Sequence, residues 1–370
     1  MTGTTLCHHS AATVAPVDLL TPLYHTDKLH PHFKTITDGR KGRHYQREEL
    51  LRWLEGFPDR DNKFVKEFQT TFNSSFWEIY LHATFRDYGF SFDWTHPAPD
   101  FLLTAGEVTF TVEATTANHA ADATPEWGLG MTPEFYKDVD FNELNRVAII
   151  RLANAFMSKS RKFDDKYAHH DHVKDRPFVL ALAPFEQPGF QLQAFRPIEA
   201  LLFDYYVDES EYIANPGRFP NGLEGKTLGS VQKDNGAEIE LGFFDCPRFS
   251  HISAVVFSHL GTWGKVDAMS GCPTAIIRSI WSSPSGLEHV VSKGDECSEK
   301  ITDGLRIYHN PYASIPLPLE VFRKEGVAQI WADPVERSLF SEEAENCLQS
   351  RTAMMFFTGK DKDFVETPSP

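Results

Sequence analysis

Two acidic residues thirteen positions apart, Asp100 after Pro99 and Glu113 after Val112, carry most of the chemical information in this 370-residue sequence. Carboxylates are hard oxygen donors of the kind that hold Mg²⁺ or Mn²⁺. A cation held that way can activate a water molecule and stabilise the charge that grows on a phosphodiester under attack. Two carboxylates do this only if the fold brings them together, and the intervening residues indicate that it does. Phe101-Leu102-Leu103-Thr104 and Glu107 to Val112 read as strands flanking Ala105-Gly106, a short connection of hairpin type.

A turn at Ala105-Gly106 sets Asp100 opposite Thr111. Side chains alternate with period two, so Asp100, Thr111, Glu113 and Thr115 share one face, while Phe101, Leu103, Val108, Phe110 and Val112 share the other. The second set is a core face, worth about 1.5–3 kcal/mol per large side chain buried, and it opposes a one-residue slip. In this register Asp100 and Glu113 are diagonal neighbours with Cβ atoms roughly 7 Å apart. The backbone carbonyl of Ala114 is a third oxygen donor beside them.

The flanking segments supply further groups. Phe64, Phe68, Phe72, Phe76, Tyr80 and Ala83 recur at helical spacing, which predicts one helix over 62–88, stopped by Gly89 and carrying Glu78. After the hairpin, Ile149, Leu152, Phe156, Phe163 and Tyr167 form an apolar stripe on a helix over 142–167, and Lys159 interrupts it. A lysine in a core stripe needs a route to solvent or a buried anionic partner. The hairpin carboxylates are such a partner, and Lys162 continues the same side. The candidate catalytic set is therefore Glu78, Asp100, Glu113, Thr115, Lys159 and Lys162, with Asp100, Glu113 and the Ala114 carbonyl as metal ligands. Singly, each has an ordinary reading: a turn aspartate, a strand-end acid, an exposed helical glutamate, a lysine at the edge of a stripe.

Together these residues make the chain resemble the PD-(D/E)xK nuclease superfamily, whose signature is an aspartate at a hairpin start, then an acidic residue, a spacer and a lysine on the next strand. Pro99-Asp100 and Glu113-Ala114-Thr115 carry the likeness, and Glu78 within Asn73 to Leu81 is similar to the superfamily's helical acidic residue. The resemblance spans roughly residues 61–185, and Thr115 stands where the lysine should be. It implies an α/β (α+β) restriction-endonuclease-like core, a mixed sheet flanked by helices. The implied activity is Mg²⁺-dependent (or Mn²⁺-dependent) hydrolysis of DNA, with RNA as the other polynucleotide, in restriction, repair or defence. Lys159 first and Lys162 second would replace the motif lysine. A homodimer is left open.

Thr115 and the net charge of −16 favour an alternative, an inactive nuclease-like fold that binds a protein or nucleic acid without cleavage. A third reading takes His169-His170-Asp171-His172 as a zinc centre of a different hydrolase, although adjacent side chains rarely converge on one ion.

Composition sets the frame. A hydrophobic content of 41% with 30 phenylalanines is that of a folded globular chain, and no apolar window is long enough to span a membrane. Met1 to Thr21 lacks the pattern of a secretory signal. The five cysteines are scattered without a CxxC pair, so a reducing cytoplasm is expected. Basic residues gather at Arg40-Lys41-Gly42-Arg43 and between Arg146 and Arg176. The expected organisation is an N-terminal extension over 1–60, a core over 61–265 with an insertion at about 190–250, and a C-terminal elaboration over 266–370. Phe178 to Phe185 reads as a strand buried on both faces, and Ala254 to Leu260 as a further buried strand.

Overall fold

The computed structural model describes residues 17–128, 135, 137, 139–219, 225–336, 338–342, 346–357 and 359. Its first elements are helices α1 (Pro31–Ile36), α2 (Arg43–Leu54), α3 (Phe64–Thr70) and α4 (Asn73–Asp87). The single helix expected over 62–88 is thus two, broken at Phe72, whose backbone adopts φ 59°. That conformation is unfavourable for a large side chain. Its ring, however, is sandwiched 5.4 Å from both His30 and Phe76 and almost fully buried, which offsets the cost. Gly89 follows α4 at φ 73°, as a helix stop requires.

Strands β1 (Ser91–Phe92), β2 (Phe101–Ala105), β3 (Val108–Asn118) and β4 (Phe178–Phe185) come next, with α5 (Phe141–Lys162) between β3 and β4. The segment expected as an insertion holds α6 (Arg196–Phe203), α7 (Glu209–Ala214) and two ribbons, β5 (Tyr206–Val207) with β6 (Gly225–Lys226) and β7 (Ser230–Gln232) with β8 (Glu238–Glu240). Then follow β9 (Ala254–Phe257), α8 (Trp263–Met269), β10 (Ala275–Ser283), β11 (Gly286–Lys293), β12 (Arg306–His309), β13 (Ala328–Ala332), β14 (Leu339–Glu342) and β15 (Leu348–Met355).

Eight strands form one mixed sheet in the order β1-β2-β3-β4-β9-β12-β13-β14. β1, β2 and β3 are antiparallel, whereas β3, β4 and β9 run parallel. All eight residues of β4 are buried, as a strand covered on both faces must be. Phe101, Leu103, Phe110 and Val112 pack with α4 on one face, and Leu180, Leu182, Val255 and Phe257 pack with Ile149, Leu152 and Phe156 of α5 on the other. The architecture is therefore mixed α/β, a mixed sheet flanked by helices. Trp77 ties α4 to the sheet by donating its indole N–H to the Ala181 carbonyl at 3.0 Å.

Described segments on either side of residues 61–265 share this framework. Phe33, Ile36, Leu50 and Trp53 of α1 and α2 belong to the core around α4, and β12 to β14 extend the same sheet. Strands β11, β10 and β15 make a separate antiparallel sheet. Among the described residues, no helix is long and apolar enough to cross a membrane.

The hairpin register differs from the expected one. Ala105 pairs with Val108 and Phe101 with Val112, so the turn is Gly106-Glu107 rather than Ala105-Gly106. Gly106, at φ 59°, supplies the positive φ that a two-residue turn demands. The offset is two residues, an even number, so every side chain keeps its face while its partner changes. Phe101–Val112 is the last pair of the ladder, so Asp100 enters the hairpin beside Glu113 and Ala114 rather than opposite Thr111.

Candidate active site

Asp100 precedes β2 and is anchored by its side chain: Oδ2 accepts the Ala114 N–H at 2.7 Å. In an extended strand the N–H and C=O of one residue point to the same side, so the Ala114 carbonyl faces the same edge. Burial, and then the nearby Glu113, push the Asp100 carboxyl up to about 6, against the opposing influence of Lys159, the Ala114 N–H and Lys162. Burial and then Asp100 push Glu78, reaching over from α4, well above the usual carboxylate range.

Glu113 is fully buried. Its Oε1 accepts from Lys159 Nζ at 2.5 Å and Lys162 Nζ at 2.8 Å, while Oε2 has no hydrogen-bond partner. Both lysines come from the last turn of α5, where the negative end of the helix dipole favours cations. Their side chains are 20% and 36% exposed, so they form the layer between Glu113 and solvent. The helix then widens into a π turn over Phe163–Tyr167, a feature frequent at functional sites. Its buried Tyr167 lies under Lys162, with Nζ 5.0 Å from the ring centre. Burial and then Glu113 push the Tyr167 phenol up. Thr115 sits half-buried two residues beyond Glu113 on the same face, and the lysines arrive from a helix instead of from its position.

The segment leading to Asp100 is irregular. Arg60 donates to the carbonyls of His96 at 2.7 Å and Asp100 at 3.0 Å, and stands over the Trp94 ring. From the other side His172 meets the Ala98 carbonyl through Nε2 at 2.8 Å. Among the described residues, no three His, Cys, Asp or Glu side chains form a metal-holding group. The His169–His172 run therefore has no zinc ligand set there, and the hairpin presents two carboxylates rather than three. Its donor set still suits a hard cation: all oxygen, with the buried Glu113 Oε2 unpaired and two neighbouring carboxyls held toward their protonated forms.

The structure thus brings Asp100, Glu113, Ala114, Lys159, Lys162 and Glu78 into one neighbourhood and leaves Thr115 beside it. Arg60 and Tyr167 are additions. Tyr167 was visible as part of the α5 stripe, whereas Arg60 lies in a loop and gave no periodic signal. Within the basic run at residues 40–43, Arg43 is buried, 3.6 Å from Asp38 and 4.2 Å from the Phe357 ring, whereas Arg40 and Lys41 are exposed. Arg161, Lys166 and Lys174, near the end of α5 and in the segment after it, are exposed. A cavity of about 350 Å³ lined by Phe72, Phe76, His259, Trp263 and Arg351 includes none of the residues that meet at the hairpin. No family model, curated protein or solved structure matches the chain.

Proposed function

We propose that this protein is a Mg²⁺-dependent phosphodiester hydrolase with a restriction-endonuclease-like core, acting on DNA in a reducing, cytoplasmic setting. One observation carries the reading: Lys159 and Lys162 converge on Glu113, beside Asp100. Two carboxylates and an ammonium group are the atoms such a reaction needs, and their source in the sequence is immaterial to the chemistry. The succession α4, β1, β2, β3, α5, β4 supports the same assignment.

Asp100, Glu113 and the Ala114 carbonyl would hold the cation, which when bound supplies a polarised water and neutralises charge on the phosphate. The chain's own groups have distinct tasks. Lys159, the less exposed lysine, holds a non-bridging phosphate oxygen against the carboxylates, and Lys162, over Tyr167, confines it from the solvent side. Glu78 keeps its proton to higher pH than an ordinary glutamate and can donate a hydrogen bond beside Asp100. Arg60 fixes the backbone of Asp100.

The test is cleavage of plasmid DNA, single-stranded DNA and RNA by the purified chain with Mg²⁺ or Mn²⁺, with EDTA and Asp100→Ala as controls. Metal-dependent scission lost in the variant is expected. A second reading, a nuclease-like binding protein without activity, is favoured by Thr115 and by Glu113 being sealed beneath both lysines. Absence of cleavage together with absence of carboxylate-dependent Mn²⁺ binding would establish that reading in place of the first.

A further inference from the structure

The His169–His172 run takes no part in the proposed chemistry, yet it touches the segment that carries Asp100. Thr95 to Asp100 lies outside the β-ladder, since β2 begins at Phe101, so side chains must hold it in place. Arg60 holds its two carbonyls at His96 and Asp100. His172 holds the stretch between them: its Nε2 lies 2.8 Å from the Ala98 carbonyl. A carbonyl only accepts, so Nε2 carries the hydrogen. The His172 ring is stacked on His96 with centroids 3.8 Å apart and planes 9° from parallel, and His170 extends the stack at 5.2 Å.

We propose that His172 is a positioning residue for Asp100, and that the histidine run acts as a clamp on the metal-binding hairpin rather than as a metal centre. The inference rests on the proposed nuclease site for its consequence, though not for its geometry. His172 follows Lys159, Lys162 and Tyr167 in one continuous segment, the end of α5 and the turn after it. The clamp therefore ties the Asp100 strand to the same piece of chain that delivers the lysines to Glu113. Loss of the Nε2–H bond frees Ala98 and, two residues on, loosens the Asp100 carboxylate from the Ala114 N–H. Supporting residues of this kind typically change metal affinity 10–100-fold when removed.

Three variants of the full chain separate the roles: His172→Gln keeps an N–H donor, His172→Phe keeps the stack, and His172→Ala keeps neither. Two readouts are needed, the dissociation constant for Mn²⁺ and the hydrogen-exchange rate of the Ala114 amide, which reports its bond to Asp100 without metal or substrate. For His172→Ala we expect Mn²⁺ binding at least tenfold weaker and faster Ala114 exchange, both largely restored in His172→Gln and less so in His172→Phe. Should His172→Ala fail to fold, the Gln–Phe contrast decides alone. Unchanged Ala114 exchange in His172→Ala, or His172→Phe matching the wild type while His172→Gln does not, would overturn the clamp. Faster exchange in a protein that neither binds Mn²⁺ nor cuts DNA would uphold the clamp and refute the nuclease.

Discussion

Asp100→Asn should make the metal-free protein more stable at pH 8, an unusual outcome for a buried site residue. The Asp100 carboxyl sits at about 6 in the folded chain against an ordinary 3.8, chiefly through burial and then through Glu113. Between those pH values the folded state binds more protons than the unfolded one, so stability falls as pH rises and the deficit becomes constant above about pH 6. Each tenfold change in proton affinity is worth about 1.4 kcal/mol, which bounds the deficit at about 3 kcal/mol. Asparagine removes the charge and still accepts the Ala114 N–H. It also relieves Glu78, which Asp100 pushes upward as well. Urea unfolding in EDTA, followed by tryptophan fluorescence from pH 4 to pH 8, should show the two proteins alike near pH 4 and the variant ahead by about 1–3 kcal/mol at pH 8. Excess Mn²⁺ should reverse the order, because only the wild type gains binding energy. A variant less stable than wild type at pH 8, or a difference that does not change with pH, would refute this account of the site.

Mn²⁺ binding should release protons between pH 5 and pH 7, since a cation displaces the proton that Asp100 retains in part there, and calorimetry in buffers of different ionisation enthalpy measures the number. Lys159→Met should lower kcat/KM for DNA by about 10²–10³-fold, the range seen for loss of one charge-stabilising donor, and Lys162→Met by less, in proportion to their 20% and 36% exposure. Thr115→Lys should restore part of the activity of Lys159→Met, because position 115 shares the face of Glu113; no recovery in a folded double variant would show that the helical lysine cannot be replaced from the strand. Glu113→Gln should abolish Mn²⁺ binding and cost about 1–3 kcal/mol of stability, since two ammonium groups lose their shared charged acceptor.

Much of this site was legible because periodicity constrains it. The alternation in Val108 to Val112 fixed which face carries Glu113, and a two-residue error in the turn could not alter that. Lys159 was legible for the opposite reason: it breaks the stripe of Ile149, Leu152 and Phe156, and a break in a core pattern asks for a partner. The break between α3 and α4 was hidden because Phe68, Phe72 and Phe76 keep helical spacing through it, and tertiary burial of Phe72 overrides the backbone preference. Arg60 and His172 act through backbone carbonyls of an irregular loop. Such bonds depend on where the chain passes in space and leave no periodic trace.

The charge of −16 bears on this site less than its size suggests. Exposed charges farther away than about 8 Å are screened at physiological ionic strength, so the acidic surface at large governs how often a polyanion arrives, not how a phosphate is held once it is there. The local balance is less acidic than the whole: Lys159 and Lys162 face the hairpin, and Arg161, Lys166 and Lys174 stand exposed near the end of α5 and in the segment after it, interleaved with the exposed Asp164, Asp165, Asp171 and Asp175. On the proposed function, this arrangement predicts slow, strongly salt-dependent engagement of DNA, with a phosphate oxygen held once the end of α5 is reached. On that reading the acidic remainder disfavours prolonged non-specific residence on nucleic acid.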